Sequence, residues 1–158
     1  MKKIMYLFLL VVGTTSLFSC SKNKKEIPQP GRLTGLWSQT SFHYTAHKGT
    51  SIIEEYTTVT ETGKQITIRF FEDGRFETYE RSLEEDVSEI TAHVEGTYHY
   101  DAETGVLTMD DTESGEHATA TVLTLSDQQL TFSQSASPAL HNTEADKEVF
   151  TLYFNRVP

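Results

Sequence analysis

The chain has 158 residues, and its 23 acidic and 13 basic side chains give a formal net charge of −10. Such an acidic chain is a poor candidate for binding nucleic acid or lying on an anionic membrane, because both require clustered positive charge. Its one cysteine excludes an internal disulfide.

Residues 1–19 have the pattern of a signal peptide. Lys2 and Lys3 form a basic region, and residues 4–12 form an apolar run. This run is too short to span a bilayer, which needs about 20 apolar residues, but it has the length of the apolar part of a signal peptide. The segment Leu17-Phe18-Ser19-Cys20 that follows resembles a bacterial lipobox, in which a peptidase cuts before the cysteine and the cysteine is lipidated.

Cys20 is therefore the predicted lipidation site. The alternative is an unpaired thiol after an ordinary secretory signal, but a free exported thiol would be a liability. Several acyl chains on one residue would anchor the protein stably, whereas a single chain binds only marginally. Cleavage before Cys20 removes two lysines and no acid, so 11 basic side chains (13 − 2) face 23 acidic ones and the net charge becomes −12.

Residues 20–32 are predicted to be the lipidated cysteine and a flexible tether, and residues 33–158 the folded domain. The tether begins with the basic stretch Ser21-Lys22-Asn23-Lys24-Lys25, which is either solvated linker or a weak contact with lipid headgroups. Pro28 and Pro30 stiffen its second half and mark the boundary of the folded part.

The domain is predicted to be all-β, because it has little helical pattern and many threonine, aromatic and β-branched residues. Short strands alternate with polar turns, which predicts an antiparallel barrel or sandwich. Short links favour an up-and-down order in which sequence neighbours pair. The candidate strands are Gly35–His47, Ile52–Thr60, Gln65–Phe71, Arg75–Arg81, Val94–Tyr100, Val106–Asp110, Ala118–Leu125, Gln129–Ser133 and Glu148–Val157.

Alternation predicts which side chains point into the domain. Phe150, Leu152, Phe154 and Arg156 share one face of the last strand, and Leu123 shares a face with Leu125. The register after the Asp73-Gly74 hairpin turn stays open. Whether Phe76 joins Ile68 and Phe70 on the inward face depends on a bulge at this turn, since one extra residue moves every following side chain to the other face.

Two segments interrupt the strand pattern. Ser82-Leu83-Glu84-Glu85 has the pattern of a capping box and predicts a single helical turn; a continued strand with a polar bend is the alternative. Residues 135–147 are polar, with Pro138 among them, and are predicted to form a long exposed loop before the last strand.

Gly35-Leu36-Trp37 and Arg156 carry a resemblance to a known family. Lipocalins have Gly-x-Trp at the start of the first strand and an arginine late in the last strand, which packs over that tryptophan and closes one end of the barrel. Trp37 is the only tryptophan here, and an arginine among apolar residues needs such a partner. With its lipobox, its Asp-Gly hairpin and Gly96-Thr97-Tyr98, the chain resembles small lipocalin-like lipoproteins of Bacteroidetes-type bacteria.

The resemblance implies a lipocalin-like barrel of about eight strands, closed by Trp37 and Arg156. Phe70, Tyr98 and Tyr100 are candidate ligand-lining residues, and Arg69 would hold an anionic headgroup if its strand face turned inward. The alternative is that Tyr98 and Tyr100 are filled core and Arg69 is solvated, because an eight-stranded barrel can be filled by its own side chains.

No metal, cofactor or catalytic chemistry is predicted. His43 and His47 lie four residues apart on a strand, about 13 Å, which is too far for a shared zinc ion. The acidic segments 84–86, 101–103 and 110–111 fit solubilising turns better than calcium loops. No nucleophile–base motif or phosphate loop occurs in the sequence.

The sequence thus predicts non-catalytic binding of a small, partly apolar ligand by a lipid-anchored protein of a Gram-negative cell envelope. The outer membrane is the expected site. Its periplasmic face is favoured over the cell surface, because the residues after Cys20 are basic and surface-display signals in the resembled bacteria tend to be acidic. The alternative is a filled barrel that serves as a structural or protein-interaction module. An internal cavity of a few hundred Å³ would favour binding, and a packed interior with an exposed apolar patch the alternative.

Overall fold

The computed structural model describes residues 33–84 and 87–158. The predicted signal peptide, Cys20 and the tether lie outside the described residues. Within them, no helix is long and apolar enough to cross a membrane. The strands are β1 (Gly35–Lys48), β2 (Ser51–Val59), β3 (Lys64–Phe70), β4 (Arg75–Glu84), β5 (Val87–Asp101), β6 (Val106–Asp111), β7 (His117–Leu125), β8 (Gln129–Ala136) and β9 (Lys147–Arg156). Every strand predicted from the sequence is present.

Eight of these strands form a closed antiparallel barrel. From β3 to β9, consecutive strands pair with each other. Strand β1 closes the ring, because it pairs with β3 on one edge and with β9 on the other. The remaining strand, β2, pairs only with the second half of β1 and lies outside the ring. The predicted all-β up-and-down barrel is confirmed. Strand β2 does not pair with β3, the next strand in sequence, because residues 35–38 of β1 pair with β3 directly.

The core fills one end of the barrel, around Trp37. Alternation places most of its residues correctly, but the predicted inward position of Leu123 is wrong. The pairing of β7 with β8 shifts between Val122 and Thr124, so Val122 and Leu125 are both buried and Leu123 is 57% exposed. This irregularity moves the side chains that follow it to the opposite face.

The Asp73-Gly74 turn contains the bulge that decides the register. The Gly74 amide donates to the Phe71 carbonyl oxygen (3.2 Å), and the Phe71 amide donates to the Arg75 carbonyl oxygen (2.8 Å). Gly74 has φ = 85°, a conformation that glycine adopts without steric cost. This pattern is a three-residue hairpin loop with a glycine bulge. It sets Phe70 opposite Phe76, and both are buried on the inward face.

Residues 82–84 do not form the predicted helical turn, and residue 85 lies outside the described residues. Strand β4 continues to Glu84, and Ser82 and Leu83 pair with Glu89 and Ser88 of β5. Leu83 and Ile90, two of the apolar residues that suggested a helix, are both exposed in these strands. The strand ladder satisfies the backbone instead, as the alternative reading expected.

The segment between β8 and β9 is anchored by a buried carboxylate. Glu148 is 0% exposed and accepts hydrogen bonds from the Tyr44 hydroxyl (2.8 Å) and from the amides of Leu140 (2.9 Å), His141 (2.9 Å) and Asn142 (2.6 Å). Burial alone would raise the pKa of this carboxyl, but these donors stabilise its anion and lower the pKa to about 2. The predicted loop is therefore exposed at Leu140 yet held at its centre.

Candidate functional site

The barrel contains a cavity of about 310 Å³ on the side of the core away from Trp37. All eight barrel strands contribute to its wall, because each strand turns alternate side chains inward. The residues that line it are Gln39, Ile66, Ile68, Phe76, Thr78, Val94, Met109, Asp111, Glu116, Ala118, Phe132, Gln134, Leu152 and Phe154.

The body of the cavity is apolar. Ile68, Phe76, Phe132 and Phe154 are buried, and the rings of Phe132 and Phe154 stack with their centroids 5.3 Å apart. Gly96 shapes the wall beside Phe76: a Cβ atom there would lie 2.8 Å from the Phe76 ring and would also collide with the Asp110 carbonyl oxygen. The glycine is therefore required by close packing of β5 against its neighbours.

The polar groups of the cavity are amides, a hydroxyl and carboxylates. Gln39 is 9% exposed, and its side-chain amide makes no hydrogen bond within the described residues. Thr78 and Gln134 are half-buried on other strands, while Asp111 and Glu116 lie at either end of the β6–β7 turn. No lysine, arginine or histidine of the described chain lines this cavity.

The Asp111 carboxylate also orders the turn in which it lies. It accepts hydrogen bonds from the amides of Glu113 (2.7 Å) and Ser114 (3.0 Å). The bond from Ser114 is the largest contribution to a lowered pKa of Asp111, so this side chain is an anion at neutral pH. Glu116 is exposed at the rim of the cavity. The rim is therefore negatively charged.

The opposite end of the barrel is closed by Trp37 and Arg156, which the structure brings together. The two residues are opposite each other in the β1–β9 pairing, and the guanidinium carbon lies 4.2 Å from the centre of the Trp37 ring. Arg156 also donates to the carbonyl oxygens of Asp127 and Thr34, both at 2.8 Å. A Cβ atom at Gly35, where φ = 126°, would collide with this guanidinium, which explains the glycine of Gly-x-Trp.

The sequence-predicted ligand residues lie elsewhere. Phe70 and Tyr100 are buried in the core around Trp37, and Tyr98 donates its hydroxyl to the Phe71 carbonyl oxygen at 2.8 Å. Arg69 is exposed, and its guanidinium carbon lies 5.6 Å from the Phe71 ring centre, so its strand face turns outward. None of the four lines the cavity described above.

Sequence reasoning missed the polar residues that do line the cavity. Gln39 follows Trp37 by two residues, so alternation along β1 could have placed it on the inward face. Asp111 follows Met109 in the same way along β6. Gln134 follows Phe132 along β8. Glu116 gave no such signal, because it lies in a turn.

His43, His47 and the acidic turn at Asp101 make local contacts. His43 Nε2 lies 3.2 Å from a Glu55 carboxylate oxygen, and His47 Nε2 lies 3.0 Å from the Thr45 hydroxyl. The Asp101 carboxylate accepts bonds from the Thr104 hydroxyl and the Glu103 amide, both at 2.8 Å. Within the described residues, no three histidine, cysteine or acidic side chains are grouped so that they could hold a metal ion.

Comparisons with known proteins show a likeness of fold. No protein-family model and no curated protein matches the sequence. An uncharacterized protein from Bacteroides eggerthii has a TM-score of 0.50 at 12% identity, over 79% of this chain and 99% of that one. A lipocalin-like protein from Bacteroides uniformis has a TM-score of 0.49 at 16% identity, over 80% of this chain and all of that one. Bovine odorant binding protein in complex with its natural ligand gives 0.44 at 12% identity, over 82% and 74%. At these identities the likeness extends to the fold alone.

Proposed function

We propose that the protein binds a small, partly apolar molecule inside its barrel and performs no chemistry on it. The observation that carries the proposal is the cavity of about 310 Å³, since small-molecule sites have volumes of about 300–1,000 Å³. Its wall is largely apolar, with a few convergent polar groups, which is the usual composition of such sites. A barrel filled by its own side chains would lack this space.

Native mass spectrometry tests this proposal directly. Every strand of the barrel lies within residues 33–158, so the protein without residues 1–20 keeps the whole barrel. After secretion in a bacterial host and gentle purification, we expect a reproducible additional mass that is lost on denaturation. A bare protein mass, unchanged after incubation with fatty alcohols and other small apolar molecules, would contradict binding.

A cavity-filling variant provides the matched control for this experiment. Ala118 is half-buried and lines the cavity, whereas Thr121 lies on the same strand with its side chain exposed. Ala118→Trp should abolish the additional mass, because the indole would occupy much of the cavity. Thr121→Trp should retain it. Equal loss in both variants would show that the mass binds elsewhere on the barrel.

We further propose that acyl chains on Cys20 anchor the protein in the outer membrane with the barrel in the periplasm. The lipobox-like segment that ends at Cys20 and the basic residues after it support this proposal. Cys20→Ala should leave the unmodified precursor and prevent fatty-acid labelling. Protease added to intact cells should leave the wild-type barrel uncut, and cleavage there would place the barrel on the cell surface.

One observation favours the alternative, a protein-interaction module. Strand β2 pairs with β1 alone, and its apolar residues Ile52, Ile53, Tyr56 and Val59 are 40–71% exposed. A free strand edge with such residues can pair with a second copy of the chain. Sedimentation of the protein over a wide concentration range tests this alternative. A dimer weakened by Val59→Lys would support it, and a monomer throughout would count against it.

A further inference from the structure

The charge of the cavity restricts which ligand can enter it. Asp111 and Glu116 place two carboxylates in its lining, and no cationic side chain of the described residues joins them. One lysine, Lys64, lines a smaller groove that shares Gln39 and Ile66 with the cavity. Its ammonium lies 3.7 Å from a Glu80 carboxylate oxygen, so its charge is partly offset there.

An anionic ligand would therefore lose hydration without gaining a cation, and only the neutral donors Gln39, Thr78 and Gln134 would face it. Charges interact more strongly near a low-dielectric wall than in bulk water, so Asp111 and Glu116 would repel the carboxylate of such a ligand. A protonated amine at the same place would be attracted by both carboxylates. The cavity thus favours the opposite headgroup from that of a fatty acid.

Gln39 gives an independent indication of a polar ligand group. The residue as a whole is 9% exposed, lines the cavity and makes no side-chain hydrogen bond within the described chain. The fully buried side-chain groups that lack a partner among the described residues are Arg81 Nε and the Tyr100 hydroxyl, so the Gln39 amide is still accessible from the cavity and can bond to a ligand there. The amide offers both a donor and an acceptor, so it suits a hydroxyl or an amine.

From these contacts we propose that the cavity selects apolar molecules with a protonated amine or a neutral hydroxyl group, and rejects carboxylate anions such as fatty acids. The apolar portion would lie against Phe76, Phe132 and Phe154, with the polar group directed toward Gln39 and the acidic rim. This inference rests on the proposed binding function and specifies its ligand class.

The test compares probes with one chain and three headgroups: decylamine, decanol and decanoate at neutral pH. The protein without residues 1–20 is loaded with a neutral apolar fluorescent dye, and displacement by each probe is measured below the concentration at which the probe forms micelles. We expect decylamine to bind about tenfold more tightly than decanoate, with decanol between them. Higher salt should reduce the difference, since the rim is exposed.

Two variants assign the selectivity to the lining residues. Glu116→Gln should lower the preference for amine over carboxylate about threefold or more, whereas Glu113→Gln removes an exposed carboxylate of the same turn that does not line the cavity and should change it little. Gln39→Leu should weaken decanol about fivefold relative to the dye, because only the hydroxyl needs the amide.

The outcomes separate the two proposals. If neither dye nor decanol binds the wild-type protein, the proposed function fails. If both bind but decanoate binds as tightly as decylamine, the binding function stands and the ligand class is wrong. Equal effects of Glu113→Gln and Glu116→Gln would assign the preference to the overall acidity of the chain and would overturn the role of the rim.

Discussion

Both ends of the barrel combine apolar and polar side chains, but one end is densely packed around Trp37 and the other surrounds a cavity. At the closed end Trp37 is fully buried, its Nε1 donates to the Leu33 carbonyl oxygen at 2.8 Å, and Arg156 covers its ring. At the open end the strands surround an apolar cavity, and the Gln39 amide has no partner among the described residues. Trp37 and Arg156 bond to the protein, although the buried Tyr100 hydroxyl in the same core has no partner among the described residues, whereas the Gln39 amide faces a cavity in which another molecule can bind.

This difference predicts that substitutions at the closed end affect mainly stability and that substitutions at the cavity end affect mainly ligand affinity. Dense packing with paired polar groups stabilises the fold, so substitutions at the closed end should lower the free energy of unfolding. The cavity end holds fewer such interactions, and its substitutions should change ligand affinity more than stability. The variants below test that separation, in order of expected effect.

Truncation of Trp37 should have the largest effect on stability. Trp37→Ala removes the largest fully buried side chain together with its hydrogen bond, and we expect it to lower the free energy of unfolding by about 3–5 kcal/mol. Denaturant unfolding measures this loss. Tyr153→Ala, at a side chain 38% exposed on β9, is the control and should cost much less. Equal losses would contradict a stability role centred on the closed end.

A substitution at Glu148 tests whether the β8–β9 loop, beside the cavity end of the barrel, also contributes strongly to stability. Glu148→Gln replaces an anion that accepts four hydrogen bonds, and should lower the melting temperature by roughly 10 °C at neutral pH. The control is Glu144→Gln, an exposed side chain of the same loop, which should have almost no effect.

The stabilisation that Glu148 provides should decrease as the pH falls. Its folded pKa of about 2 lies below the ordinary value of 4.5, so the folded state binds the proton less readily than the unfolded chain. The stabilisation is therefore complete above about pH 4.5 and disappears as the pH falls toward 2. The gap between wild type and Glu148→Gln should narrow over that interval in thermal unfolding. A gap that widens there would contradict the anchoring role of the anion.

Substitution of Arg156 should destabilise the fold less than substitution of Trp37 or Glu148. Arg156→Met keeps much of the side-chain length but removes the cation over Trp37 and two bonds to backbone carbonyls, which should cost about 2 kcal/mol. The chain offers a matched exposed pair: the Arg75 guanidinium carbon lies 4.9 Å from the Phe71 ring centre, with the arginine side chain 59% exposed. Arg75→Met should cost less than about 1 kcal/mol. Similar losses would show that burial does not strengthen the closing pair.

The sequence was sufficient to predict the strands and the barrel, because alternation and turn residues are local signals. Three features depended on long-range pairing and were not predicted: the position of β2 outside the ring, the irregularity that turns Leu123 outward, and the burial of Glu148 by a polar loop. The cavity was harder still. Its wall takes one or two side chains from each strand, so no continuous segment of the sequence indicates its size or charge.

Substitution of Gln39 should have the smallest effect on stability. It is also the sharpest test of the difference between the closed end and the cavity end of the barrel. The Gln39 amide makes no hydrogen bond to the described residues, so Gln39→Leu exchanges a polar group for an apolar one of similar size without removing a bond of the fold. We expect the free energy of unfolding to stay within about 0.5 kcal/mol or to rise. A loss near that of Arg156→Met would mean that the amide has a partner in the free protein. If stability holds while decanol affinity falls, Gln39 is a polar group that the fold keeps unpaired for the ligand.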